Sequence, residues 1–120
     1  MDIPKIFESE YRFCLILWAN EPIKSNDLVK LCAERLQWKK STTFTVIKRL
    51  ADRGVLKNEN SIVTSLVSKN DIQTAESHEI VEKTFDGSLP QFIAAFTKEK
   101  TLSPDEIVEI KRMIELYEEE

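Results

Sequence analysis

The chain has 120 residues, of which 42% are hydrophobic and 32% are charged, and its formal net charge is −4. These values fit one globular domain, or a small domain with an oligomerisation element. With only 2 glycines and 4 prolines, the chain is unsuited to a turn-rich all-β fold and offers no glycine-rich phosphate loop. No apolar run approaches the roughly 18 residues of a membrane span, and the N-terminal segment does not resemble a signal peptide. We therefore expect a cytoplasmic protein without membrane insertion.

Charge is distributed unevenly along the chain. Residues 1–70 hold 12 Lys or Arg and 8 Asp or Glu, a net charge of +4, whereas residues 71–120 hold 5 and 13, a net charge of −8. Within residues 35–57 the only acid is Asp52. This polarity is typical of a protein that presents one end to a polyanion; a solvated charged face is the simpler alternative.

The first predicted helix covers residues 8–19. Tyr11, Cys14, Leu15 and Trp18 have the i, i+3, i+4, i+7 spacing of a core-facing stripe. The segment Asn20-Glu21-Pro22 ends this helix, because proline cannot continue the helical hydrogen-bond ladder.

Residues 25–54 predict a helix-turn-helix, in which two short amphipathic helices are joined by a basic turn. We expect Trp38 to close the corner between the two helices by packing. In such a motif the second helix can lie in the major groove of DNA. The apolar stripe of the first helix is formed by Leu28, Leu31, Cys32 and Leu36.

The second helix of this motif has a core-facing side and a polar side when its residues are placed at about 100° intervals. The core-facing side is formed by Thr43, Val46, Ile47 and Leu50. The polar side is formed by Ser41, Thr45, Lys48 and Asp52, flanked by Thr42, Phe44 and Arg49.

The polar side has the composition of a DNA-reading surface. Hydroxyl side chains near the helix N-terminus, Thr42 and Thr45, can approach base edges, while Lys48 and Arg49 can reach phosphates. For Phe44 two interpretations remain open, contact with a thymine methyl group and packing against the first helix. The predicted DNA-binding residues are Lys39, Lys40, Ser41, Thr42, Phe44, Thr45, Lys48 and Arg49.

A β-hairpin is predicted after the helix-turn-helix. Gly54 is placed to end the preceding helix, and residues 55–57 and 62–67 predict two strands around a polar turn. Three helices followed by such a hairpin form a winged helix-turn-helix domain, which we assign to residues 1–69. The hairpin lacks arginine, so we expect it to make few phosphate contacts.

Residues 70–120 are predicted to form a three-helix dimerisation domain, so the fold is mainly α-helical with a small β-wing. The helices are expected over residues 72–85 and 89–98 and after Ser103, where Ser103-Pro104-Asp105-Glu106 has the form of a capping box. A segment this short cannot bury its apolar surface alone, so a homodimer is expected. The expected dimerisation residues are Ile80, Phe85, Phe92, Ile93, Phe96, Ile107, Ile110 and Ile114.

Over residues 3–116 the chain resembles the BlaI/MecI/CopY family of bacterial winged-helix repressors. The resemblance rests on the order and spacing of short motifs along the whole chain, since no single motif is decisive. These motifs are Ile3-Pro4, Ser9-Glu10-Tyr11, Leu17-Trp18, Trp38, Thr42, Thr45, Arg49-Leu50, Arg53-Gly54-Val55-Leu56, Gly87-Ser88-Leu89, Ala95-Phe96 and Leu102-Ser103 to Ile107.

The resemblance implies a homodimer that binds a pseudo-palindromic, double-stranded operator and blocks transcription. In the β-lactam-responsive branch, a membrane sensor triggers proteolysis at a bond that corresponds here to Ala95-Phe96, and this chain has alanine where that branch has asparagine. The copper-responsive branch has a C-terminal CxC arrangement, whereas this chain has no cysteine after Cys32. Family members also commonly have basic residues at the position of Ser41 and near Phe44, where this chain has none.

Two other classes of protein are alternatives to the repressor. The absence of arginine from the wing is compatible with a winged-helix module that binds protein and no longer contacts DNA. An enzyme is disfavoured, because His78 has no nucleophile placed beside it by a recognisable motif. The sequence predicts no metal site and no cofactor. Cys14 and Cys32 are interpreted as buried reduced thiols, with a disulfide or redox switch as the alternative.

Overall fold

The chain contains six helices and three short strands in a computed structural model that describes residues 2–119. None of the described helices has the length and hydrophobicity needed to cross a membrane. The elements are α1 (Glu8–Asn20), β1 (Ile23–Lys24), α2 (Ser25–Leu36), α3 (Lys40–Asp52), β2 (Leu56–Glu59), β3 (Ile62–Ser65), α4 (Lys69–Thr84), α5 (Leu89–Glu99) and α6 (Pro104–Glu118).

The residues fall into two compact units that divide within α4, one up to Ser77 and the other from His78 onward. Ile72, near the start of α4, is buried and belongs to the hydrophobic core of the first unit. The predicted domain boundary between residues 69 and 70 lies eight residues before this division, at the first residue of α4, and stays a prediction.

The core-facing side of α1 differs from the predicted one by one position along the helix. Phe13, Cys14 and Leu17 are buried, whereas Leu15 is 38% exposed. The core-facing side contains positions 10, 13, 14 and 17. One of these residues is an acid, Glu10, so the spacing of apolar residues alone does not identify this side. Of the residues expected to face the core, the two aromatic ones, Tyr11 and Trp18, are half-buried and make an edge-to-face contact at 5.8 Å.

The helix-turn-helix formed by α2 and α3 has the predicted arrangement. Trp38 lies between the two helices and stacks on Phe13 of α1, with ring centroids 6.0 Å apart. In α2, Leu28 and Cys32 are buried. The residues that α3 buries are the four that the helical phasing selected, Thr43, Val46, Ile47 and Leu50.

The strands form one antiparallel sheet in the order β1-β3-β2. Gly54 ends α3 at a φ of +81°, a left-handed conformation that glycine adopts without strain. The hairpin turns at Asn60 and Ser61, both with positive φ, as a two-residue hairpin requires. The predicted wing is therefore confirmed, but its predicted turn was too long, since Asn58 and Glu59 belong to β2. The strand β1 was not predicted, because its two residues acquire strand conformation only by pairing with β3.

The second unit has well-capped helices but no buried side chain among residues 78–119. Ser88 caps α5 by accepting a hydrogen bond from the main-chain nitrogen of Gln91 at 3.2 Å. Ser103 and Glu106 form the predicted capping box at the start of α6, with distances of 2.9 and 3.1 Å. The hydrogen bond from the Ser103 main chain lowers the pKa of Glu106. These caps define the helix ends without supplying a hydrophobic core.

Candidate nucleic-acid interface

The outward side of α3 and the residue before it present cations and hydroxyl groups to solvent. Seven of the eight residues predicted to bind DNA are exposed, and we call them the α3 surface: Lys39, Lys40, Ser41, Thr42, Thr45, Lys48 and Arg49. They are held outward because the opposite side of the helix is anchored in the core. The eighth predicted residue, Phe44, is half-buried.

The N-terminal turn of α3 has hydrogen-bonding groups available to a ligand. No side chain caps this end of the helix in the described structure, so its first N–H groups can donate to an oxygen acceptor. The Thr45 hydroxyl donates to the Ser41 carbonyl at 2.9 Å. This bond fixes the hydroxyl, directs its hydrogen inward and leaves the oxygen able to accept.

Phe44 packs against the hydrophobic core of the first unit. Its ring also lies 5.9 Å from the Lys40 ammonium group, within the range of a cation–π contact. The packing interpretation of Phe44 is therefore supported by the fold, while contact with a thymine methyl group stays a prediction.

A buried acid, Glu10 of α1, contacts two arginines near the end of α3. Its side chain is 1% exposed, and its Oε2 accepts from Arg53 Nη2 and lies 3.5 Å from Arg49 Nη1. Its Oε1 accepts from the Phe7 main-chain nitrogen at 2.9 Å, and Arg53 Nη1 donates to the Lys5 carbonyl at 2.7 Å. Arg49 remains 56% exposed and Arg53 only 28%.

This ion-pair cluster was not anticipated from the sequence. The sequence analysis names Glu10 and Arg53 only within the family motifs Ser9-Glu10-Tyr11 and Arg53-Gly54-Val55-Leu56 and predicts no contact between them. The signal that could have identified Glu10 is its position in the stripe with Phe13, Cys14 and Leu17. A charged residue on the core-facing side of a helix needs a partner of opposite charge. Residues 35–57 contain several cations that could serve as that partner.

The wing carries little positive charge. Lys57 of β2 lies 3.9 Å from the carboxylate of Glu59, and both side chains are exposed. An exposed ion pair of this length is weak. It therefore neutralises part of the Lys57 charge but does not hold the lysine side chain in place.

The residues predicted to dimerise are mostly exposed and lie on α4, α5 and α6, except Phe85, which directly follows α4. Phe85 and Phe92 are half-buried and contact each other edge-to-face at 5.5 Å. Ala95 and Phe96 occupy the interior of α5, where the Lys100 ammonium group lies 6.0 Å from the Phe96 ring. The others are 39–54% exposed, namely Ile80, Ile93, Phe96, Ile107, Ile110 and Ile114.

The two cysteines are free thiols in the core of the first unit. Burial, reinforced by the Glu10 charge, raises the pKa of Cys14 to about 12, and burial also raises the pKa of Cys32. Both are therefore protonated at neutral pH. Among the described residues no group of three or more His, Cys, Asp or Glu side chains is arranged to hold a metal ion.

A helix-turn-helix with an exposed basic second helix, followed by an antiparallel hairpin, defines a winged helix-turn-helix protein. The family model described as "Penicillinase repressor" matches residues 6–116. The chain therefore belongs to the penicillinase repressor family, whose members are transcriptional repressors and not enzymes.

Relatives and solved structures agree with this assignment. The chain is 24% identical over 117 residues to the penicillinase repressor of Bacillus licheniformis, covering 94% of this chain and 91% of that protein. It is 26% identical over 114 residues to the methicillin resistance regulatory protein MecI of Staphylococcus aureus strain N315, covering 92% and 93%.

Two solved structures share the winged-helix fold. The DNA-binding domain of the repressor BlaI matches with a TM-score of 0.53 and 23% identity, over 58% of this chain and 90% of that one. Monomeric Bacillus licheniformis BlaI in complex with the blaP half-operator matches with a TM-score of 0.51 and 24% identity, over the same shares of the two chains. At this level of identity the likeness concerns the fold.

Proposed function

We propose that this protein is a cytoplasmic, homodimeric repressor that binds a pseudo-palindromic operator through the α3 surface. The observation that carries the proposal is the exposed row of hydroxyl and cationic side chains on a second helix whose other side is fixed in the core. In this arrangement Thr42 and Thr45 contact base edges, while Lys48 and Arg49 contact phosphates.

The comparison with BlaI supports the choice of DNA as ligand. That repressor has been solved with a half-operator bound, and the part of it that matches this chain is its winged-helix domain. The basic charge of residues 35–57 fits the same polyanionic ligand, because phosphate neutralisation supplies most of the affinity of such domains.

The composition of the second unit supports homodimerisation. Residues 78–119 bury no side chain within one chain, and apolar residues such as Ile93, Ile110 and Ile114 are about half exposed. A helical segment of this size needs a partner surface to bury its apolar groups. A second copy supplies the same surface and gives the two-fold symmetry that a palindromic site requires.

We further propose that repression is relieved by a signal from a membrane sensor protease, with Ala95-Phe96 as the bond to be cut. Both residues lie within α5 and are exposed in a single chain. Cutting there would separate α6 from the rest of the dimerisation segment. Incubation with the sensor's protease domain, followed by mass spectrometry, tests the bond directly, and an intact chain would contradict this part of the proposal.

The DNA-binding proposal is tested by fluorescence anisotropy with a duplex from upstream of the protein's own gene. We expect tight binding that weakens steeply as salt rises, because bound cations displace counterions from the DNA. A shuffled duplex of the same composition is the control. Equal affinity for both duplexes, or binding independent of salt, would refute a sequence-specific repressor.

A second candidate function is a winged-helix module that binds protein instead of DNA. The pairing of Lys57 with Glu59 in the wing, and the absence of cations at Ser41 and Phe44, favour it. This candidate predicts equal and weak affinity for the two duplexes. The genes beside its own provide an independent discriminator, since a neighbouring sensor protease, efflux pump or resistance gene favours the repressor.

A further inference from the structure

We infer that Glu10 is a positioning residue for DNA binding, which holds the Arg49 guanidinium from inside the domain so that its outer N–H groups are directed at a phosphate. This inference rests on the proposed function and deepens it. It assigns a role in recognition to a buried acid on α1, a helix that contributes no residue to the α3 surface.

The contacts of Glu10 show that its charge is already compensated without Arg49. Its Oε1 accepts from the Phe7 nitrogen, and its Oε2 accepts from Arg53, which is itself anchored on the Lys5 carbonyl. Arg49 is therefore a second cation on a carboxylate that already has a close partner. Arg49 Nη1 lies 3.5 Å from Glu10 Oε2. This longer ion pair orients the guanidinium group but leaves it available to DNA.

The exposure of Arg49 leaves donors for a ligand. A guanidinium has five N–H groups in a rigid fork, and one edge directed at Glu10 leaves the other free to meet a phosphate. Arg49 is 56% exposed and lies in the last turn of α3. An arginine restrained in advance loses less rotamer freedom when it binds, which is how preorganisation increases affinity.

The opposite role for Glu10 would be competition, in which the acid withholds Arg49 from DNA. Competition requires a carboxylate whose principal partner is Arg49, but here that partner is Arg53. The two roles predict opposite effects of neutralising the acid. Loss of a positioning residue weakens the phosphate contact, whereas loss of a competitor strengthens it.

The experiment measures the salt dependence of operator binding for wild type, Glu10→Gln, Arg49→Gln and the double variant. We expect Arg49→Gln to reduce the slope of log K against log salt by about 0.9, the value of one phosphate contact. Glu10→Gln keeps the Arg49 charge, so it should weaken operator binding through lost preorganisation and do so only while Arg49 is present. The double variant should therefore bind no more weakly than Arg49→Gln. Glu8→Gln is the matched control, since it removes an exposed acid from the same helix and should not weaken binding.

Several outcomes would overturn the inference. Glu10→Gln with the affinity of Glu8→Gln, or additive losses of affinity in the double variant, would show that Glu10 does not act through Arg49. Tighter binding with a steeper slope would identify a competitor. If the wild-type protein does not prefer the operator, the proposed function itself is refuted. If the wild-type protein is specific but Glu10→Gln binds as the wild type does, only the inference about Glu10 is refuted.

A second measurement keeps the inference testable if Glu10→Gln does not fold, which circular dichroism would reveal. Nitrogen-15 relaxation of arginine Nε–H groups in the free wild-type protein compares Arg49 with Arg12, an exposed residue of α1. We expect the Arg49 side chain to be restrained and Arg12 to be mobile. Equal mobility of the two side chains would overturn the inference.

Discussion

Glu21, the residue that follows α1, accepts hydrogen bonds from both the main-chain nitrogen and the hydroxyl group of Ser65 in β3, each at 2.8 Å. Nearby, the Trp18 indole nitrogen donates to the Val67 carbonyl at 2.9 Å. The wing is thus attached to the end of α1 by side chains as well as through the pairing of β1 with β3. The residues joined are more than forty positions apart in the sequence.

Replacing Glu21 with alanine should destabilise the protein. The substitution leaves the Ser65 nitrogen and hydroxyl without their acceptor in a half-buried position, which costs about 1–3 kcal/mol. Urea unfolding followed by tryptophan fluorescence measures the loss. The control is Glu59→Ala on the same wing, whose exposed pair with Lys57 should change stability by no more than about 0.5 kcal/mol. Equal stabilities of the two variants would show that the Glu21–Ser65 contact contributes nothing.

Gly54→Ala tests the conformation that ends α3. A Cβ added to Gly54 meets no atom within 4 Å, so the cost comes from the positive φ alone and should be about 1–2 kcal/mol. Gly54→Asn should cost less, because asparagine tolerates the left-handed region better than alanine. Thermal unfolding of both variants checks the order, and an asparagine variant less stable than the alanine variant would contradict it.

Cys14 should make stability depend on pH in the alkaline range. Its folded-state pKa of about 12 lies above the ordinary thiol value of 9.0, so the folded state holds the proton more tightly than the unfolded state. The corresponding stabilisation is complete below about pH 9 and is lost as the pH rises towards 12, at up to about 1.4 kcal/mol per pH unit. Urea unfolding at several pH values should therefore show a steeper alkaline decline for wild type than for Cys14→Ala. Parallel declines would mean that the thiol does not contribute.

Thr45→Ala and Arg49→Ala should affect DNA binding in different ways. Loss of the Thr45 side chain should alter the preference at one base pair of each half-site by about 1–3 kcal/mol. Loss of Arg49 should weaken binding to all duplexes and reduce the salt slope by about 0.9. Anisotropy titrations against a set of single-base operator variants separate the two effects. The assigned roles would be wrong if both substitutions changed all affinities in proportion.

Ile110→Asp should convert the proposed dimer to monomers. A charge at a position buried by the partner has no counter-ion there and costs about 3 kcal/mol or more, which weakens dimerisation at least about 100-fold. Val108→Asp is the matched control, because position 108 lies opposite the apolar side of α6 and is 67% exposed. Analytical ultracentrifugation should find Ile110→Asp monomeric and Val108→Asp dimeric. The same mass for both variants would refute this placement of the interface.

Elements with local signals are predicted correctly from the amino-acid sequence. The buried side of α3, the glycine that ends it, the presence of the wing hairpin and the Ser103 capping box all follow from the periodicity or the chemistry of neighbouring residues. The exposure of Ser41, Thr42, Thr45, Lys48 and Arg49 is another consequence of that periodicity: once the core side of α3 is known, its solvent side is known as well. The family resemblance added the operator and the dimer as expectations.

Tertiary structure decided the features that depend on distant partners. The core-facing side of α1 could not be derived from apolar spacing, because one of its members is Glu10, which tolerates burial only by pairing with Arg53, 43 positions away. The strand β1 exists because β3 lies beside it, and Phe44 is half-buried because the core of the first unit is there to receive it. Each of these features depends on a partner that only folding brings close: an opposite charge for Glu10, a hydrogen-bonded strand for β1 and an apolar surface for Phe44. The spacing of neighbouring residues in the sequence does not identify such a partner.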